Sequence, residues 1–172
     1  MDDTPDWLPP LILFTDYRGQ WNDYIDAVYD AYCKDFMRCR PQFRGETVHS
    51  RYHPAHGNKG ATFWHLVSEG KVEEERIPDL RRCERIRWPR PIIENSELTD
   101  VKVWEGYRPW RGQLQTRVNF SLFNFSYLVV IAKNSRGYDL LTAYWIEQEH
   151  RRRKLKREYE DFWRQKKEGS AS

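Results

Sequence analysis

Cysteine is scarce in this chain, and the three that occur, Cys33, Cys39 and Cys83, are an odd number without C-x-x-C spacing. That pattern excludes a disulfide framework and a zinc site, so the thiols are expected to be reduced packing groups of a cytoplasmic protein. Long hydrophobic runs are missing as well. The longest, YLVVIA at 127–132, is of strand length and far short of the ~18 residues that span a membrane. The acidic start MDDTPDW is unlike a signal peptide, and no membrane partner is expected. Familiar enzyme signatures are absent too: there is no P-loop, no G-x-G-x-x-G, no G-x-S-x-G and no H-E-x-x-H. His49, His53, His56, His65 and His150 lack carboxylate or thiol companions at metal-ligand spacing, and the H-P-A-H pair at 53–56 sits in a proline-bearing loop. No metal and no cofactor are expected.

What is present is aromatic and charged. Over 172 residues, 15% are aromatic, with 8 Trp and 10 Tyr, and 32% are charged. A chain of that length buries a core without staples and is expected to form one domain, 1–172. The aromatic content excludes disorder over most of it. Net charge is only +3 but unevenly spread. Residues 1–40 hold eight Asp against four Lys or Arg, RRCERIRWPR (81–90) holds five Arg and one Glu, and 150–167 holds nine Lys or Arg against three acids. Basic clusters interleaved with aromatics are the footprint of a nucleic-acid binder, and a solvated helix face is the ordinary competing explanation.

Periodicity gives the elements. WNDYIDAVYDAYCKDFMR (21–38) has helical apolar spacing, and Pro41 ends it. FRGETVHSRY (43–52) alternates like one strand. HGNKGATFWHLVSEG (56–70) reads as a loop followed by a helix from Ala61 to Glu69, stopped by Gly70. IPDLRRCERIRW (77–88) predicts a second short helix with Pro78 in its first turn, ended by Pro89 and Pro91. Residues 100–107, 114–123, 127–133 and 138–146 are β-branched and aromatic, and NSRG (134–137) is a hairpin turn. The terminal segment from Glu147 predicts a basic helix with Leu155, Tyr159 and Phe162 or Trp163 on one face, fraying at GSAS. The expected fold is α+β: N-terminal helices, then a four-stranded antiparallel meander, then a basic C-terminal helix. Within the single domain, 1–44 is an N-terminal extension, 45–147 the core and 148–172 the helix and tail.

On a helix from 61 to 69, His65 and Glu69 share a face, as an acid–base pair or as a histidine and its orienting glutamate. An ordinary helix-edge pair has the same spacing. Arginines add a reason to look further, because a guanidinium fork matches a phosphodiester and stays charged at neutral pH. Thr142 and Tyr144 are i, i+2 and project from one face of a strand, with Ala143 and Trp145 on the other.

A helix histidine, an arginine-rich segment running into R-x-x-E-R-I-R-W-P-R-P-I-I, and a meander ending in L-L-T-A-Y resemble the barnase–EndoU–colicin–RelE superfamily of small metal-independent ribonucleases, in its phage-associated, toxin-like branch. The resemblance covers roughly residues 45–147. It implies RNA as substrate and transphosphorylation to a 2′,3′-cyclic phosphate. It also implies a cognate antitoxin or inhibitor protein as partner, or a role in defence against phage. Carried onto this chain, it implies His65, Arg82, Arg85, Thr142 and Tyr144 as catalytic residues. Lys59, Arg81, Arg87 and Arg90 are expected to add substrate contacts. Whether His65 or Tyr144 is the acid stays open. A non-catalytic nucleic-acid- or protein-binding module on the same scaffold is the alternative, and an adaptor protein of a mobile element is a weaker third.

Overall fold

Six strands, rather than four, build the sheet. The computed structural model describes residues 3–170, and its strands are β1 (Gln42–Phe43), β2 (Glu46–His49), β5 (Lys102–Trp110), β6 (Gln113–Leu122), β7 (Tyr127–Asn134) and β8 (Gly137–Trp145) in the order β1-β2-β8-β7-β6-β5. Consecutive strands β5 to β8 pair antiparallel, but β2 joins β8 in parallel, Val48 opposite Tyr138 and His49 opposite Asp139. The sheet is therefore mixed, and the expected four-stranded antiparallel meander is corrected to an α+β fold with two further strands.

The physical reason lies at two glycines. Arg44 and Gly45 both have positive φ (50° and 76°), the geometry of a tight hairpin turn, so FRGETVHSRY folds back on itself instead of running as one strand. Gly137 lets β2 approach β8: at its φ of 130°, a Cβ would lie 2.5 Å from the Thr47 carbonyl oxygen.

Helices cover both faces unequally. On one face lie α1 (Trp21–Tyr32, continuing as a π-helical turn over Cys33–Arg38), α2 (Ala61–Val67), α3 (Leu80–Glu84) and α4 (Pro89–Glu94). Their Tyr24, Val28, Phe36, Phe63, Leu66, Cys83 and Ile92 bury against Phe120, Val129, Ile131 and Leu140 of the sheet. The opposite face carries a smaller core of Trp104, Phe125, Leu128, Val130 and Ile146, covered by Leu155, Tyr159 and Phe162 of α5 (Glu149–Ser170). Trp163 of the same helix donates its indole N–H to the Val103 carbonyl at 2.8 Å. Of the expected fraying at GSAS, Ala171 and Ser172 lie outside the described residues, and Gly169 and Ser170 are helical. Among the described residues no helix is long and apolar enough to cross a membrane.

The segment between α2 and α4 departs from expectation. Helix α2 stops at Val67, and Ser68–Glu69 (β3) pairs antiparallel with Ile77–Pro78 (β4). Glu69 is thus on a strand, and the shared helix face expected for His65 and Glu69 does not exist. Ser68 has already turned to extended backbone (φ −116°, ψ 153°), because the β3–β4 ladder satisfies the chain there. Pro78 lies in β4, not in a helix. Pro89 and Pro91 start α4 rather than ending a helix, since a first helical turn needs no N–H from them.

Candidate active site

The site forms where β2 leaves β8. The parallel pairing stops at Asp139, so the edge of β8 beyond it has no strand neighbour, and α2 and α3 pack there instead. The β3–β4 ladder ties the end of α2 to the start of α3, reinforced by the Asp79 N–H donating to the Val67 carbonyl at 2.8 Å. His65 and the α3 arginines are brought to the same strand edge by that tie.

Helix α2 has no side-chain N-cap, so its free N–H groups need another acceptor. The backbone at 51–52 supplies it: Ala61 N–H donates to the Tyr52 carbonyl (2.9 Å) and Thr62 N–H to that of Arg51 (3.0 Å). The Arg51 N–H donates in return to Thr62 Oγ1 at 2.8 Å. Gly60 permits this contact, for a Cβ there would stand 3.2 Å from Tyr52 Cα. With Thr62, Phe63, Leu66 and Val67 buried, His65 is left half-exposed on the outer side. Asp79 caps α3 by accepting from the Arg82 N–H at 3.0 Å, and Cys83 anchors it in the core.

His65 Nδ1 lies 4.0 Å from Glu73 Oε2, so the carboxylate beside the histidine comes from the loop and not from Glu69. Burial, and then the positive charges of Arg76, Arg82 and Arg51, hold its pKa below the ordinary 6.5, with Glu73 opposing them. The imidazole is therefore neutral at pH 7. The Arg82 guanidinium lies 5.0 Å from the centre of the Tyr144 ring, and its Nη1 is buried without a hydrogen-bond partner. Burial, and then Arg76, push its pKa down, with Asp79, Glu69 and Tyr144 opposing. Tyr144 Oη accepts a bond from Arg151 Nη2 at 3.1 Å, which leaves its own O–H free to donate elsewhere. Thr142 faces the same side of β8, opposite Val130 as Tyr144 is opposite Leu128, and Ala143 and Trp145 pack on the other.

The other expected residues lie elsewhere or are engaged. Arg85 turns to the core face of β8, its guanidinium 5.1 Å from both the Trp88 and Trp145 rings, and it donates to the Arg81 carbonyl at 3.1 Å. Arg81 itself is bonded to Glu147. Lys59 is held by Asp26 at 2.6 Å, over the Tyr29 ring, because the loop folds back on α1. Arg90 bonds the Asp35 and Cys39 carbonyls and pairs with Glu94, and both Arg87 and Arg90 act on Asp35, beside the end of α1 and away from His65. The cluster thus joins His65, Arg82 and Tyr144, with Thr142 two residues along the same strand face, and leaves out Lys59, Arg81, Arg85, Arg87 and Arg90.

Comparison of this chain with protein-family models, with curated proteins and with solved structures finds no match.

The cluster itself therefore carries the functional reading. Three contributors to it have no distinctive signal in the sequence. Arg76 follows three glutamates and looks like one more charge in a linker. Its guanidinium in fact gathers the carbonyls of His65 (3.0 Å), Ser68 and Gly70 (3.1 Å), which fixes the end of α2. Arg51 has the look of an ordinary strand residue, and Arg151 is one of nine basic residues on the terminal helix. Among the described residues no three His, Cys, Asp or Glu side chains are grouped as a metal-ligand set.

Proposed function

We propose that this chain is an endoribonuclease of the metal-independent type, cleaving RNA by transphosphorylation to a 2′,3′-cyclic phosphate. The observation that carries the reading is His65 set among arginines, with Arg82 over a tyrosine ring whose hydroxyl proton is free. A neutral imidazole takes the ribose 2′-hydroxyl proton, and the 2′ oxygen attacks phosphorus. The Arg82 guanidinium, held over the Tyr144 ring at the open edge of β8, meets the negative charge that grows on the phosphoryl oxygens. Tyr144 then donates its proton to the departing 5′ oxygen, while Arg151 stabilises the phenolate left behind. Thr142, on the same face, is placed to hold the substrate. A toxin-like or phage-defence role with an inhibitor protein as partner belongs to the same reading.

Purified protein incubated with total RNA in EDTA is the direct test, with fragment ends analysed for 2′,3′-cyclic phosphate. Cleavage is expected, and His65→Ala, Arg82→Ala and Tyr144→Phe are each expected to abolish or sharply reduce it. Binding of RNA without cleavage by the native chain overturns catalysis in favour of the binding-module alternative. Cleavage unchanged in all three variants removes His65, Arg82 and Tyr144 from their roles as base, phosphate ligand and acid.

A further inference from the structure

The sheet face that carries Thr142 and Tyr144 continues beyond the part covered by α5 as an open, concave surface. Helix α5 covers its lower part, over Trp104, Leu128 and Val130. Beyond lies a concavity of about 380 Å³, lined among others by Arg51, Trp110, Arg111, Arg117, Asp139 and Leu141. Register places Arg117 opposite Ala132, and Ala132 opposite Asp139, on the face that bears Val130 and Thr142. The concavity adjoins the catalytic cluster through Arg51, one of the cations acting on His65.

Its charge is mostly unpaired. Among the described residues, Arg51, Arg108, Arg111 and Arg117 make no ion pair, whereas Lys133, also in the lining, is held by Glu46. Arg117 is half-buried with only the Gln115 amide oxygen as acceptor, at 3.4 Å, and Arg108 beside it adds a second cation. Asp139 is the single carboxylate in the lining. At the tip of the β5–β6 hairpin Trp110 is 44% exposed and Leu114 72%, with the Arg111 guanidinium 5.3 Å from the Trp110 ring. An exposed tryptophan at the rim of a basic groove matches single-stranded nucleic acid, whose bases stack while its phosphates are neutralised.

We propose that this groove seats the single-stranded RNA flanking the cleaved bond, with a base stacked on Trp110 and the adjoining phosphates held by Arg117 and Arg51. The proposal rests on the ribonuclease reading for its substrate, and the test separates the two. A fluorescein-labelled 2′-O-methyl RNA octamer, whose nucleophile is blocked, is titrated into the intact protein and followed by anisotropy at several salt concentrations. Trp110→Ala is expected to weaken binding about 5- to 100-fold, the range of one lost base–aromatic stack, with Trp110→Phe retaining most of it. Arg117→Ala is expected to lower the slope of log affinity against log salt by about 0.7, one phosphate contact to a single strand. Tight octamer binding that is indifferent to Trp110→Ala and Arg117→Ala overturns the groove, even if RNA is cleaved. Binding that depends on both residues upholds the groove, even if no cleavage is seen. Failure of the octamer to bind while poly-glutamate binds also overturns it, in favour of an acidic protein on this face. Trp110 and Arg117 lie outside both cores, so unchanged thermal melting checks that each variant is folded.

Discussion

Replacing Arg82 by methionine should cost the protein its activity and none of its stability. The Arg82 Nη1 is buried with no partner, and a buried unsatisfied donor costs about 1–3 kcal/mol, more when charged. Its neighbour Arg76 is a like charge, which adds to the cost. Against this stands the cation–π contact with Tyr144, 5.0 Å from ring centre to guanidinium, worth about 0.5–2 kcal/mol. Methionine keeps most of the aliphatic packing, and the α3 cap survives because Asp79 accepts from the backbone N–H of residue 82. The two ranges leave about −1 to +2.5 kcal/mol, and the Arg76 repulsion shifts that toward the variant, so its Tm is expected between the native value and about 10 °C above it. Activity should move the other way, since one lost transition-state donor costs about 10²- to 10³-fold in kcat.

Calorimetric or fluorescence melting of both proteins, alongside cleavage of a labelled RNA, measures the two quantities together. A strained functional site predicts opposite signs. A Tm lowered by more than about 4 °C, with cleavage within threefold of native, would make the guanidinium a structural group with no part in catalysis.

Arg76→Met is the contrasting case: it leaves the carbonyls of His65, Ser68 and Gly70 without their guanidinium, so Tm should fall by the equivalent of about 2–4 kcal/mol, checked in the same melts. If His65 is the base, kcat/KM should rise with pH along a limb whose midpoint lies below 6.5, and Glu73→Gln should move that midpoint lower still by removing the charge that opposes Arg76. A profile that falls with pH over that range would instead make His65 the acid. The same depressed pKa has a stability consequence: the unfolded chain takes up this proton first, so His65's contribution is complete above pH 6.5 and is lost as pH falls through the folded value, visible as a lower Tm that His65→Gln should lessen. Gly137→Ala should cost about 1–3 kcal/mol in backbone strain alone and open the β2–β8 pairing, read as faster amide exchange at Val48 and His49.

The individual strands β5 to β8 and the terminal helix were legible because their signals are local. β5 to β8 are long, β-branched or aromatic, and separated by turn residues, and α5 shows its apolar stripe at Leu155, Tyr159 and Phe162. The mixed sheet was hidden because a parallel pair between residues 48 and 138 leaves no mark in either segment except Gly137, whose need for a bare Cα arises from a strand nearly ninety positions away. Helix α2 ended early for a similar reason. No breaker precedes Gly70, but Ser68 and Glu69 find a better partner in Ile77 and Pro78.

For the site, residue type was readable and placement was not. Histidine, arginine and tyrosine on three separate segments suggested phosphate chemistry, yet nothing in RRCERIRWPR distinguishes Arg82, facing Tyr144, from Arg85, lodged between two tryptophans, or Arg90, clamped to the carbonyls after α1. The distinction follows from how α3 is started. Asp79 caps the helix and Cys83 is buried, so Arg82 is turned to the strand edge, while the chain leaves helical geometry at Arg85 and sends that side chain to the core face. A one-residue shift of the cap would rotate each α3 side chain by about 100° and put a different arginine over Tyr144. Asp79, which touches no substrate in this mechanism, is for that reason the residue that decides which arginine takes part.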